Sequence, residues 1–177
     1  MDGSRVAPMM RNLEPSNRDA LTGAASEAAL LRFTEAVLEL AQHPGPPVGF
    51  LHIDIDGLAE ITAHLGAAAT EAVLLGIADR LHEGVRGHDL VGRVGDGFGI
   101  CMPDLLPAQA RGAAERLRRA LAGAPVPTPA GELGVTCSIG LALAHGPFSG
   151  AAALLAQARL ALLEAQLNGG DRVVAAD

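Results

Sequence analysis

Residues 48–55, VGFLHIDI, constrain this chain more than any other stretch. The run is short, apolar and rich in β-formers, with HPGPP before it and Gly57 after it, so it reads as a buried strand. A strand of this kind needs a sheet around it and helices over the sheet. The flanking patterns supply both. From Ser26 to Ala41 apolar residues recur at helical spacing (Leu30, Phe33, Val37, Leu40), and Ser26 is placed as the N-cap. Two further helical segments span about 57–65 and 68–84, the second burying Leu74, Ile77, Ala78 and Leu81. LVGRV and FGICM flank Gly95-Asp96-Gly97, and Asp-Gly between apolar runs predicts a tight hairpin. A helix follows at about 107–122, then a Pro-rich linker, APVPTPAG. Residues 133–144 read as one long strand, about 150–167 as a helix stopped by Gly169-Gly170, and RVVA as a short final strand. The resulting order, α-β-α-α-β-β-α-β-α-β, predicts a mixed sheet with helices packed on it. Residues 1–17, punctuated by Pro8 and Pro15, read as an extension or linker ahead of a domain at 18–177.

Composition removes several classes of function. The net charge is −7, and all 13 basic residues are arginine. Without lysine the only permanently charged cation is the planar guanidinium, suited to bidentate contacts. Negative charge with only 2% aromatic residues argues against a nucleic-acid surface. No apolar run is long enough to span a membrane, so no membrane insertion is expected. The first residues show no leader-like hydrophobic stretch, which makes a cytoplasmic location the expectation. Cys101 and Cys137 sit in apolar runs and are expected to be buried free thiols. The six histidines show no metal-ligand spacing, and His52 is expected as a buried neutral imidazole on the strand face of Asp54.

Five strings, in order, resemble the GGDEF domain of diguanylate cyclases: RDALTG (18–23), HIDID (52–56), RVGDGF (93–98), SIGLA (138–142) and NGGDRV (168–173). The resemblance implies an α/β fold with a central, mainly antiparallel five-stranded sheet flanked by helices. It also implies a reaction in which two such domains condense two GTP into cyclic di-GMP with divalent metal. Position by position, however, the implied active site is altered. Asp54 stands at the first metal carboxylate, but GDGF is one residue shorter than the family loop and leaves only Asp96 as a second candidate. Both are therefore treated as vestigial, with Mg²⁺ needed only by an active cyclase. Asp56 reads as a local cap before the next helix. The positions implied for guanine recognition hold Thr62 and Glu71, neither of which offers the family's hydrogen-bonding groups. Those implied for the phosphates hold Gln166 and Gly170, with Arg172 nearby.

One implied set is intact. Arg86-Gly87-His88-Asp89 matches the family's RxxD product-binding string, and Arg116 matches a further arginine of that site. The chemistry suits a guanine dinucleotide: an arginine fork donates to guanine O6 and N7, and a carboxylate accepts from its N1–H and amino group. Arg86 reads as exposed, so Arg86→Ala is expected to leave the fold intact. The resemblance thus implies a catalytically inactive domain that needs no cofactor and binds cyclic di-GMP through Arg86, Asp89 and Arg116. Its output is expected through a protein partner or a homodimer. An active cyclase and a nucleotide-free interaction scaffold stand as the two alternatives.

Overall fold

The computed structural model describes residues 13–41, 44–146 and 149–177. Most of the expected extension, together with His43, lies outside them. A turn of 3-10 helix at Pro15–Asn17 leads into α1 (Glu27–Leu40), where the Ser26 hydroxyl accepts from the Ala29 N–H at 3.2 Å. Strand β1 (Val48–Ile55) is followed by α2 (Leu58–Leu65) and α3 (Ala67–Gly84). Then come the hairpin β2 (Leu90–Val94) and β3 (Gly97–Met102), helix α4 (Pro107–Ala122), a small hairpin β4 (Val126–Thr128) and β5 (Gly131–Leu133), strand β6 (Cys137–Ala144), helix α5 (Ala151–Leu167) and strand β7 (Val173–Ala175).

The main sheet has five strands in the order β2-β3-β1-β6-β7, antiparallel except for the last pair. Strand β1 lies at its centre because both faces of its apolar run are covered. Leu51, Ile53 and Ile55 pack with Val73, Ile77 and Leu81 of α3 and Leu117 and Leu121 of α4. On the other face, Val48 and Phe50 pack with Leu30, Phe33 and Val37 of α1 and Leu154 and Ala158 of α5. Helix α5 sits so close that a Cβ at Gly140 would run into the Ala158 carbonyl and the Leu162 backbone. Both cysteines are buried and free, and burial pushes each thiol up to about 12.

The sequence misplaced one region. The Pro-rich linker folds into the β4–β5 hairpin, and Leu133 belongs to it, so the long strand starts only at Cys137. The hairpin is held locally: Thr128 Oγ1 donates to the Gly131 carbonyl at 2.6 Å and accepts from the Ala130 N–H at 3.1 Å. Val126 anchors it by lying where a side chain on Gly76 of α3 would stand.

Candidate functional site

Between the C-terminal end of β1 and the β2–β3 hairpin, two clefts share Asp54, Asp96 and Gln166 in their walls. The hairpin is as short as its sequence predicts. Val94 pairs with Gly97, leaving Gly95 and Asp96 as the turn. Only Gly95 of these two has a positive φ (+53°), so the glycine at the first central position makes the turn rather than the Asp-Gly step. Gly97 lies in β3, where any side chain would run into the Ile53 carbonyl and Asp54. Glu27, in the first turn of α1, accepts from the Gly95 N–H at 3.2 Å and fixes the hairpin tip. Arg93 at its base donates through Nε to the Gly97 carbonyl, lies over the Phe98 ring at 5.2 Å and comes within 3.8 Å of Asp19. Burial would raise the Asp19 pKa, but bonds from Thr22 and the Arg93 charge bring it below the ordinary value.

The smaller of the two clefts, about 400 Å³, runs between α2 and α3. Thr62 and Thr70 bond each other across it at 2.7 Å, and Thr62 also donates to Leu58. Thr70, not Glu71, therefore faces Thr62; Glu71 is exposed and outside the cleft wall. A pair of hydroxyls that already satisfy each other offers little to a base edge. At the mouth, Gln166 Nε2 donates to Asp54 Oδ2 at 3.0 Å. A cation beside Asp54 would meet that N–H, and no three His, Cys, Asp or Glu side chains converge among the described residues. Mg²⁺ takes one or two free carboxylates together with substrate phosphates, whereas here the Asp54 carboxylate is engaged by the Gln166 amide.

Asp56 has a different role from the cap read in the sequence, since Gly57 precedes α2 without a side-chain cap. Its carboxylate accepts from Thr136 Oγ1 and Ser138 Oγ, each at 2.7 Å, and from the Asp171 N–H at 3.0 Å. It thereby ties the end of β1 to β6 and to the loop before β7. Gly170, with φ +71°, lies against that carboxylate, so a side chain there would adopt a strained backbone and press on Asp56.

The larger cleft, about 680 Å³, lies on the α5 side and contains His52, Glu27 and Arg159. His52 is 7% exposed, and its Nδ1 has no hydrogen-bond partner among the described residues. Burial holds its pKa below the ordinary value, Asp54 and Glu27 oppose that shift, and Arg159 adds to it.

The RxxD residues occupy a separate cleft of about 250 Å³ near the end of α3. Asp89 is fully buried and closes a turn by accepting from the Arg86 backbone N–H at 2.8 Å. The same carboxylate takes Arg86 Nε at 3.2 Å and Nη2 at 2.8 Å, and Nη2 also donates to the Pro103 carbonyl. Asp89 is thus turned onto Arg86 rather than presented to solvent. Arg86 itself is 41% exposed, but removing it strands a buried carboxylate, so Arg86→Ala is not the harmless surface change the sequence suggested. Arg116 is exposed and lines a different groove with Arg111, Glu115 and Arg119; the structure does not bring it into the Arg86 cleft. The arginine that does line that cleft is Arg18, held by bonds to the Leu13 and Gly23 carbonyls. Its place as the first residue of the RDALTG string was the available signal.

Comparison with known proteins agrees with this architecture. A family model described as "Diguanylate cyclase, GGDEF domain" matches residues 16–172. The chain is 34% identical over 166 residues to the response regulator PleD of Caulobacter vibrioides, covering 92% of this chain and 37% of PleD. It is 33% identical over 172 residues to the uncharacterized protein Rv1354c of Mycobacterium tuberculosis, covering 96% of this chain and 27% of that one. The chain therefore spans well under half the length of these curated relatives. Among solved structures, diguanylate cyclase SiaD in complex with its activator SiaC from Pseudomonas aeruginosa superposes with TM-score 0.85 at 28% identity, over 98% of this chain and 68% of that one. The GGDEF domain of DgcB from Caulobacter crescentus, in complex with c-di-GMP, gives TM-score 0.85 at 19% identity, a likeness of fold, over 94% and 96% of the two chains. No described helix is long and apolar enough to cross a membrane.

Proposed function

The chain belongs to the GGDEF domain family, and from that premise we propose that it is a receptor for cyclic di-GMP that makes none itself. The observation that carries this reading is the Arg86–Asp89 clasp. Of the groups that the family resemblance assigns to ligands, Arg86 is the one both present and locked in place, by a carboxylate with no other charged partner among the described residues. A guanidinium so held loses little freedom when it meets the O6 and N7 edge of guanine. Asp89 acts as the positioning residue. Arg18, on the wall of the same cleft, and Arg116, exposed without a carboxylate partner among the described residues, supply charge for the phosphodiesters. The domain covers residues 18–177, and its signal passes to a protein partner.

Catalytic silence has its own support. Gln166 occupies Asp54, Thr62 and Thr70 satisfy each other, and the two-residue turn carries Asp96 alone. In-line attack needs phosphates held by cations, and these three features leave few groups to hold them. Titration calorimetry with cyclic di-GMP, run beside GTP with Mg²⁺ under a product assay, tests both parts. Binding of the dinucleotide without turnover is the expected result. Formation of cyclic di-GMP that disappears in Asp54→Ala would refute the proposal, and binding of neither nucleotide would favour a scaffold.

A further inference from the structure

Helix α5 is apolar nearly all round: apart from Gln157, Arg159, Glu164 and Gln166 it consists of alanine and leucine. One face, with Leu154, Ala158, Ala161, Leu162 and Ala165, is buried against the sheet. On the opposite face Ala153, Ala156, Leu160, Leu163 and Leu167 are all exposed, the three leucines at 69%, 50% and 79%. Their spacing is three, four, three and four, which is the a and d pattern of a heptad repeat. The four polar residues form two lines between these faces: Gln157 and Glu164 at e, Arg159 and Gln166 at g. Scattered exposed leucines need no explanation, but a second apolar face in heptad register on one helix does.

From this pattern we propose that the outer face of α5 is a two-fold interface, pairing in parallel with α5 of a second copy of this chain. Charge complementarity decides the occupant and its direction. Arg159 and Glu164 side chains form no ion pair among the described residues. In a parallel pair a g residue faces the partner's e residue five positions on, which sets Arg159 opposite the partner's Glu164, twice by symmetry. Antiparallel pairing would bring g to g and set Arg159 against arginine or glutamine instead. Alanine at Ala153 and Ala156 lets the helices approach at one end, and Leu160, Leu163 and Leu167 fill the seam at the other. The buried face of α5 carries the sheet on the side opposite this seam, while Ala156, Leu160 and Leu163 also edge the larger cleft beside the β2–β3 hairpin. The seam is short, about 21 Å of helix, so the dimer is concentration-dependent. The proposal does not rest on the ligand reading, since none of the RxxD residues belongs to α5.

The test is sedimentation equilibrium over a concentration series, with circular dichroism as a check on folding. The wild-type chain should approach twice its monomer mass. Leu163→Glu, at a solvent-exposed position in the monomer, should fold and weaken association on the order of tenfold or more. Arg159→Glu and Glu164→Arg should each weaken it, and the double exchange should restore it. Leu167→Cys should give a disulfide-linked dimer on mild oxidation, because a parallel seam sets each residue beside its own copy and the two native thiols are buried. A chain that stays monomeric throughout, a dimer indifferent to Leu163→Glu, or failure of the charge exchange to restore pairing overturns the proposal.

Discussion

The two aspartates of the HIDID string should differ sharply in what they contribute to stability, and Asp56→Ala is the perturbation that shows it. Asp56 accepts three hydrogen bonds, two from side chains of the segment containing β6 and one from the Asp171 backbone. Ser138 is fully buried, so its hydroxyl would lose its acceptor with no water to replace it, at about 1–3 kcal/mol. Thr136 is half-buried and the Asp171 N–H is exposed, so water takes over and each loss is about 0.5–1 kcal/mol. The sum is about 3 kcal/mol, or roughly 6–12 °C in Tm for a chain of this length. Asp54→Ala removes only a bond to the exposed Gln166 amide and should stay within about 1 kcal/mol. Asp56→Asn keeps one acceptor oxygen and should fall between the two. Urea denaturation followed by circular dichroism reads all three as shifts of the midpoint at constant slope. If Asp56→Ala proves no more costly than Asp54→Ala, the attribution of stability to this carboxylate is wrong.

Three further outcomes follow from the geometry. Arg86→Lys keeps a cation beside the buried Asp89 but not the fork, so it should lower the denaturation midpoint less than Arg86→Ala does and weaken cyclic di-GMP about tenfold or more by calorimetry. Because burial lowers the His52 pKa, the unfolded chain binds a proton that the folded one refuses. Stability should therefore fall from pH 6.5 down to the folded-state value, by at most about 1.4 kcal/mol per pH unit, and His52→Leu should remove that slope. Asp54 on β1, Glu27 on α1 and Arg159 on α5 set the position of that window, whereas the stability contributed by the depressed Asp19 carboxyl is lost only as pH falls below about 4. Gly140→Ala should destabilise by about 3 kcal/mol or more in the same denaturation assay, since backbone rather than a flexible side chain stands where the methyl would go.

Most of the fold was legible because its determinants are local. Apolar residues at helical spacing placed α1 and α3, the Ser26 cap fixed where α1 begins, Gly169-Gly170 marked the end of α5, and the doubly apolar run at 48–55 required a strand covered on both sides. The β4–β5 hairpin escaped because two three-residue strands in a Pro-rich stretch carry no period to read, and Val126 is anchored on a distant helix. Within the candidate site, the sequence placed Asp54, Asp96, Arg86 and Asp89 by motif, and the hairpin by its glycines. It could not say which neighbour each would meet.

Those neighbours are far away along the chain. Asp56 meets groups 80, 82 and 115 residues distant, so nothing beside it marks it as a tie rather than a cap. Arg86 is fixed in part by the Pro103 carbonyl, and the choice of Arg18 over Arg116 as its neighbour depends on how the RDALTG turn packs against β2. A helix start at Ala67 turns Thr70 rather than Glu71 toward Thr62. The sequence by itself determined which segments become helix or strand, because burial pattern and backbone preference act over a few residues. Only the tertiary structure decided which carboxylate holds the fold and which faces a cleft, and which side of α5 is left uncovered, because those depend on contacts between segments that no local pattern records.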